Sequence, residues 1–307
     1  MRVVVTGGSG FIGSHVVDSL VARGHETCIY DLDTPQHSPG CEHVRGDARD
    51  LDRLVKAVRS GDVIYHLAAE ANVNRFFESP LFSNENTSHS TLCVLEAARR
   101  VDAARVVLAS TEWVYGSTDG NEEVVIAEDC PYARDPDHIY TCSKIAAELF
   151  CIGHRNLYGT EYTIMRYGIP FGERARPETV TPTFIRKILK DETIRIHGDG
   201  SQYRQFIYVK DLAEGNVACL QESARNQIFN LNGTEKVTVL QVVQALERIL
   251  GRTARIEFVE DRKGNFKGRF ISSEKAKHLL GWEPRHRYEE ALSLYASRYL
   301  DSLRQRR

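Results

Sequence analysis

The stretch VVVTGGSGFIGSH, residues 3–15, constrains the fold more than any other part of the chain. A β-branched apolar run passes straight into three glycines, Gly7, Gly10 and Gly13, each three residues apart. A second apolar pattern follows at helical spacing, through Phe11, Val16, Leu20 and Val21, and Gly24 is its stop. A continuous apolar run suits a strand buried on both faces of a parallel sheet. A helix begun directly after such a strand presents unpaired N–H groups and the positive end of its dipole. Glycines there permit the sharp turn and remove the Cβ atoms that would keep a phosphate from the backbone. The GxxGxxG spacing therefore predicts a seat for the pyrophosphate of a dinucleotide. Asp31 closes the next strand-like run, eighteen residues beyond Gly13. An acid there hydrogen-bonds the adenosine ribose hydroxyls and repels a 2′-phosphate, which favours NAD over NADP.

The runs ETCIYDLD, DVIYHLAA, ARVVLASTEW and EYTIMRYG alternate with helical stretches such as STLCVLEAARRV. Such alternation predicts an α/β fold, a Rossmann-type doubly wound parallel sheet. The second half changes character. IRIHGDGSQYRQFIYVKD reads as a strand, a Gly-rich turn and a strand. TVLQVVQALERILG reads as an amphipathic helix with a Thr238/Gln241 capping box and Gly251 as its stop. SSEKAKHLLGWEP reads as a second capped helix, ended by Gly281 and Pro284. The expected division is a cofactor-binding domain over 1–165, with a returning segment near 205–232, and a smaller α/β substrate-binding domain over 166–307. No Gly/Ser- or Pro-rich linker marks the boundary.

Composition narrows the function classes. The 307 residues allow a sizeable core, and a formal charge of -2 provides no global field for nucleic acid or an anionic membrane. The seven cysteines are odd in number and form no CxxC pair, which argues against a zinc site or a disulfide framework. No leader pattern follows Met1 and no apolar run approaches the length of a membrane span. A soluble cytoplasmic protein without a metal is the expectation.

In YTCSK, residues 140–144, Tyr140 and Lys144 lie four apart on one face of a predicted helix. A phenol of pKa about 10 is a poor base at neutral pH. A neighbouring ammonium and the positive ring of NAD⁺ both favour its ionised form. Such a tyrosine can accept a hydroxyl proton while the cofactor takes up hydride. Upstream, ASTEWVYG places Thr111 at the C-terminal end of a predicted strand, where ligands gather in open α/β sheets.

With these residues in view, the chain resembles an extended short-chain dehydrogenase/reductase of the NAD-dependent nucleotide-sugar epimerase/dehydratase group, like the UDP-glucose/UDP-galactose 4-epimerases. The resemblance covers nearly the whole chain. It rests on TGGSGFIGSH, GDARD (46–50), YHLAAE (65–70), STEWVYG, YTCSK, RYGIPFGERARP (166–177), GDGSQYRQFIYVKD (198–211) and DRKG…GWEP. It implies catalytic roles for Thr111, Tyr140 and Lys144, with Glu112 as a further acid or base. It implies cofactor contacts at Gly7, Gly10, Phe11, Ile12, Gly13, Asp31, Asp47, Ala48, Leu67, Ala68, Ala69, Ser110, Tyr140, Lys144 and Tyr167, with Asp47 and Ala48 at the adenine. It implies substrate contacts at Trp113, Arg176, Arg204 and Arg262, the last two on the nucleotide diphosphate. Arg176 is also a candidate partner for a uronate carboxylate. A homodimer through the helices around 88–100 and 140–155 is implied as well.

Three departures from the family pattern bear on the pocket. The Asn and Gly that usually open the helix before the LLEAAR-like stretch are Thr87 and Ser90 here, with Asn86 next door as a possible stand-in. The Arg-aromatic-aromatic-Asn pattern becomes Arg166-Tyr167-Gly168-Ile169, and Ile169 cannot make the Asn's polar contact. The glutamate of dehydratases and decarboxylases is replaced by Trp113, with Glu112 where 4,6-dehydratases place an Asp. An indole cannot act as a base. The resulting expectation is an NAD-dependent nucleotide-sugar 4-epimerase acting on a UDP-hexose or UDP-uronate through a transient 4-keto intermediate. The alternatives are an NDP-sugar 4,6-dehydratase or related decarboxylase, and a non-catalytic NAD-binding regulator.

Overall fold

The computed structural model describes residues 1–116, 124–261 and 268–305. Its centre is a seven-stranded sheet: β1 (Arg2–Thr6), β2 (Glu26–Asp31), β3 (Glu42–Arg45), β4 (Val63–His66), β5 (Arg105–Thr111), β6 (Tyr162–Tyr167) and β7 (Gln227–Leu231). The spatial order is β7-β6-β5-β4-β1-β2-β3, and every pairing is parallel. All five residues of β1 and all seven of β5 are buried, as the unbroken apolar runs require. Alternate residues feed the core on both faces of the sheet. Val3 and Val5 meet the helices Phe11–Ala22, Val209–Ala218 and Glu274–Leu280 on one face. Val4 meets the helices Leu51–Ala57, Ser90–Val101 and Ile139–Tyr158 on the other.

The strand order reverses between β1 and β4, so the crevice of a doubly wound sheet opens where those two strands end. A second core is built from the helices Val180–Leu189, Val239–Leu250 and Tyr288–Gln305, with Phe171, Phe206 and Tyr208. Phe11, in the first turn of the first helix, packs against this second core and joins the two parts.

Local expectations in the second half are met in part. Thr238 and Gln241 form the capping box, and Gly251 ends the helix in the left-handed conformation. Gly281 ends the Glu274–Leu280 helix in the same way, but Ser273 at its N-terminus makes no side-chain cap. The two strands read around the Gly-rich turn exist, yet they do not pair with each other. Ile194–His197 pairs with Ile256–Val259, and Phe206–Tyr208 pairs with Ile169–Phe171.

Candidate active site

At the end of β1 the three glycines divide their work. Gly7 has φ +72°, and a Cβ there would stand 2.6 Å from the Ala68 backbone nitrogen. A Cβ on Gly13 would overlap the Gly7 carbonyl oxygen. These two glycines let the strand, the turn and the loop after β4 pack backbone to backbone. A Cβ on Gly10 would lie 3.2 Å from the Gly7 oxygen, tight but nearly admissible. The protein's own packing asks least at Gly10, the N-cap of the first helix, which is where a phosphate must approach. Gly8, absent from the motif spacing, is also tight, since its Cβ would come 3.0 Å from Ile29. Gly13→Ala is expected to cost about 1–3 kcal/mol through backbone displacement and to lower the NAD content. Urea unfolding and cofactor absorbance of the purified protein check both.

The rim of the crevice is fixed by backbone donors. Asp31 accepts from Ser9 N at 2.9 Å and Asp33 N at 3.0 Å, so its carboxylate is held beside the glycine turn. Asp47 is paired with Arg49, and its carbonyl accepts from the Tyr30 hydroxyl at 3.0 Å. Leu67 N donates to Thr6 O and Ala68 N to Thr6 Oγ1, which holds Leu67, Ala68 and the adjoining Ala69 against the turn. This cradle fits a dinucleotide: an open helix N-terminus, a glycine floor and an acid at the tip of β2.

Other implied residues sit differently. Ile12 packs against the first core, and Ala48 is buried. The Ser110 hydroxyl donates to Glu148 at 2.5 Å, and the Tyr167 hydroxyl to Asn216 at 2.6 Å. Both hydroxyls are engaged inside the core, so a cofactor contact from either residue falls to its backbone. Asn86 donates to Phe82 O at 2.7 Å and Ser90 bonds back to Asn86 O and Thr87 O. These side chains stitch a five-residue π-helical turn, Glu85–His89, into the helix that follows. Arg262 lies outside the described residues.

Thr111, Tyr140 and Lys144 come together at the C-terminal end of β5. Thr111 Oγ1 accepts from Trp113 N at 3.3 Å, and the Thr111 hydroxyl favours the ionised form of the Tyr140 phenol. The Tyr140 ring is held edge-on by Phe76 and Trp113, with centroids at 5.5 and 5.8 Å. Burial pushes the phenol up to about 12, the Thr111 hydroxyl and the Arg176 charge pull it down, and Glu112 opposes them. Lys144 is buried and donates to Ala109 O at 2.9 Å. Burial lowers its ammonium to about 8, while Glu148 raises it. The Arg176 charge also favours ionisation of the phenol. Arg176 is exposed and donates to Ala71 O at 3.2 Å, at the crevice rim.

Glu112 is buried, and burial raises its carboxyl to about 7 against the pull of Arg269 and Arg204. Trp113 also packs on His138, with centroids at 5.4 Å. Arg269 was not legible in the sequence, because no spacing ties it to Glu112.

A second group missed in the sequence lies just below. Glu148, fully buried, accepts from Arg166, Ser110 and Tyr132. The Arg166 guanidinium lies over the Tyr115 and Tyr132 rings, at 4.7 and 5.2 Å. Glu148 stands one helical turn beyond Lys144, and that i,i+4 spacing was the available signal.

Comparison with known proteins places the chain in a family. The model of the NAD dependent epimerase/dehydratase family matches residues 3–231. A UDP-glucuronate 4-epimerase of Thermodesulfobacterium geofontis is 30% identical, over 94% of this chain and 93% of that protein. The solved UDP-glucose 4-epimerase of Thermotoga maritima, with UDP-glucose, superposes with a TM-score of 0.91 at 28% identity, covering 99% of this chain and 100% of the other. The UDP-glucuronic acid 4-epimerase of Bacillus cereus, in complex with UDP-glucuronic acid and NAD, superposes with a TM-score of 0.88 at 26% identity, covering 99% and 100%. By its glycine turn, its Thr-Tyr-Lys group and this match, the chain belongs to the NAD-dependent epimerase/dehydratase family.

Proposed function

We propose that the protein is an NAD-dependent UDP-sugar 4-epimerase with Tyr140 as the proton-transfer group. The observation that carries the reading is the convergence at the end of β5 of Thr111, the Tyr140 ring edge-on to Trp113, and the buried Lys144 donating to Ala109 O, at the mouth of the glycine cradle. The bound nicotinamide supplies reversible hydride chemistry at the sugar carbon. Tyr140 accepts the proton of the sugar 4-hydroxyl and returns it after the 4-keto sugar has turned its other face. Thr111 orients that oxygen. Lys144, its ammonium lowered to about 8 by burial, holds the nicotinamide ribose. The glycines, Asp31, Asp47 and Ala48 hold the rest of the dinucleotide, and Arg204 with Arg262 takes the substrate diphosphate, for which a planar guanidinium is suited. In this division residues 1–165 hold the cofactor and 166–307 the nucleotide sugar, the segment near 205–232 returning to the first.

Arg176 favours a uronate among the candidate sugars, because it is an exposed cation whose charge reaches the reacting phenol. Arg176→Ala is expected to lower kcat/KM for UDP-glucuronate about 10–100-fold more than for UDP-glucose, as the loss of a charged hydrogen bond implies. Equal losses on the two donors would assign Arg176 to the loop alone. The buried Glu112, titrating near 7, favours one rival, a 4,6-dehydratase. Incubation with UDP-glucose, UDP-N-acetylglucosamine, UDP-glucuronate and dTDP-glucose separates the readings. An epimer keeps its mass and changes its NMR couplings, whereas a dehydratase product loses one water.

Two features support a homodimer on the helices Ser90–Val101 and Ile139–Tyr158: Leu149 and Leu157 are exposed on one of them, and Phe82 lies exposed nearby. Light scattering of the purified protein decides the oligomeric state. Seven free cysteines suit a reducing compartment such as the cytoplasm.

A further inference from the structure

The Tyr140 phenol belongs to a closed chain of rings. Phe76 lies edge-on to Tyr140, with centroids at 5.5 Å, and Trp113 meets the same ring at 5.8 Å. Trp113 then packs on His138 at 5.4 Å, and His138 on Phe77 at 5.4 Å. Phe76 and Phe77 are neighbours on the short helix Val73–Glu78, and His138 stands at the N-cap of the helix that carries Tyr140. The contacts therefore return on themselves through the turn after β5, the start of the Ile139–Tyr158 helix and the helix Val73–Glu78.

Core packing does not account for the outer members. Phe76 is 3% exposed, but Phe77 is 68% exposed. A ring left so far in water gains little from burial, and the ring it touches is His138. The His138 side chain makes no capping bond at its helix terminus; its ring meets Phe77 and Trp113 instead. Trp113 in turn reaches both members of the reacting pair. Its backbone N–H donates to Thr111 Oγ1 at 3.3 Å, while its indole touches the Tyr140 ring. In the proposed reaction the sugar oxygen lies between Thr111 and Tyr140, so the indole borders the sugar.

We propose that His138 and Phe77 are positioning residues that hold the Trp113 indole as one wall of the sugar pocket, and that this wall keeps the 4-keto sugar on the protein between the two hydride steps. The inference rests on the reading of the protein as a 4-epimerase. Midway through that reaction the C4–H bond has broken, its hydride has gone to the nicotinamide and the hydroxyl proton to Tyr140. The ketone must then turn its other face without leaving. An indole wall permits the turn, because apolar contact is non-directional and fixes no single orientation. A ketone that escapes leaves its hydride and proton behind. The protein then cannot begin another cycle, and the free sugar is lighter than the substrate by two hydrogens.

Phe77→Ala is the test, since its ring lies mostly in water and its loss is expected to leave Tm unchanged. With UDP-glucose or UDP-glucuronate the variant is expected to inactivate progressively. Reduced-nicotinamide absorbance builds up on the protein, and mass spectrometry of the filtrate finds the ketone. The number of turnovers before inactivation is expected to fall about 2–10-fold, the worth of one aromatic pair. His138→Ala is expected to behave alike, and His138→Phe, which keeps a ring there, to restore the wild-type count. A second readout needs no sugar. The protein has two tryptophans, and Trp282 is 5% exposed, so acrylamide quenching of indole emission reads Trp113. Quenching is expected to rise in Phe77→Ala. Unchanged quenching with a wild-type turnover count would overturn the proposal. A slower variant that releases no ketone would reduce the ring contacts to structure alone. His138→Phe as impaired as His138→Ala would replace the wall by imidazole chemistry. A wild-type protein that interconverts no UDP-sugar would refute the 4-epimerase reading, and the quenching result would still judge the wall separately.

Discussion

Tyr140→Phe should abolish most turnover and leave the protein otherwise intact. The substitution removes one oxygen. The ring keeps its edge-on contacts with Phe76 and Trp113, and only the hydroxyl beside Thr111 is lost. Positioned proton transfer is worth about 10²–10⁴ in rate, which sets the expected fall in kcat. NAD should still co-purify, because the cradle at Gly7, Gly10 and Gly13 and the acid at Asp31 are untouched. The measurements are the epimerisation rate by NMR and the cofactor released on denaturation. Full activity in this variant would remove Tyr140 from the chemistry. Loss of both activity and NAD would instead mean that the ring builds the cofactor pocket. Because burial sets the phenol near 12 before any ligand charge is added, the rate should also climb with pH through neutrality.

The parts legible in the sequence are those where one short segment carries its own reason. β1 and the glycine turn follow from a buried strand that must hand over to a helix within a few residues. Tyr140 and Lys144 follow from a four-residue spacing on a helix. What stayed hidden depends on pairs distant in the chain. β3 is only four residues long and largely polar, so neither alternation nor an apolar run marks it. The pairing of Ile194–His197 with Ile256–Val259 joins segments some sixty residues apart that no turn connects. The different duties of Gly7, Gly10 and Gly13 were invisible too, because the spacing is regular while the neighbours, Ala68 for one and the Gly7 carbonyl for another, are set by the crossover. Arg269 belongs to the same class: an arginine late in the chain bonds the Tyr115 and Gly116 carbonyls only after the second core has been built.

Glu148 is where the largest loss of stability is expected. Its carboxylate and the Arg166 guanidinium are almost wholly shielded from water and meet at 2.8 Å. Removing one member leaves the other as an uncompensated buried charge, which costs about 3–5 kcal/mol. Glu148→Ala also takes the acceptor from the Ser110 and Tyr132 hydroxyls, which ties β5 and the 132 loop to the same event. Against a total stability of about 5–15 kcal/mol this is a large fraction, and the urea midpoint should move accordingly. The double variant Glu148→Met/Arg166→Met should recover part of the loss, since apolar side chains of similar volume can replace a buried pair. Glu148→Gln separates the structural role from a catalytic one. Glu148 raises the ammonium of Lys144 against the burial that lowers it to about 8. Without that anion the lysine loses its proton at lower pH, so the alkaline fall in activity should begin earlier. Wild-type stability in Glu148→Ala would show that the pair is dispensable to the fold. An unmoved alkaline limb in Glu148→Gln would show that Lys144 does not sense it.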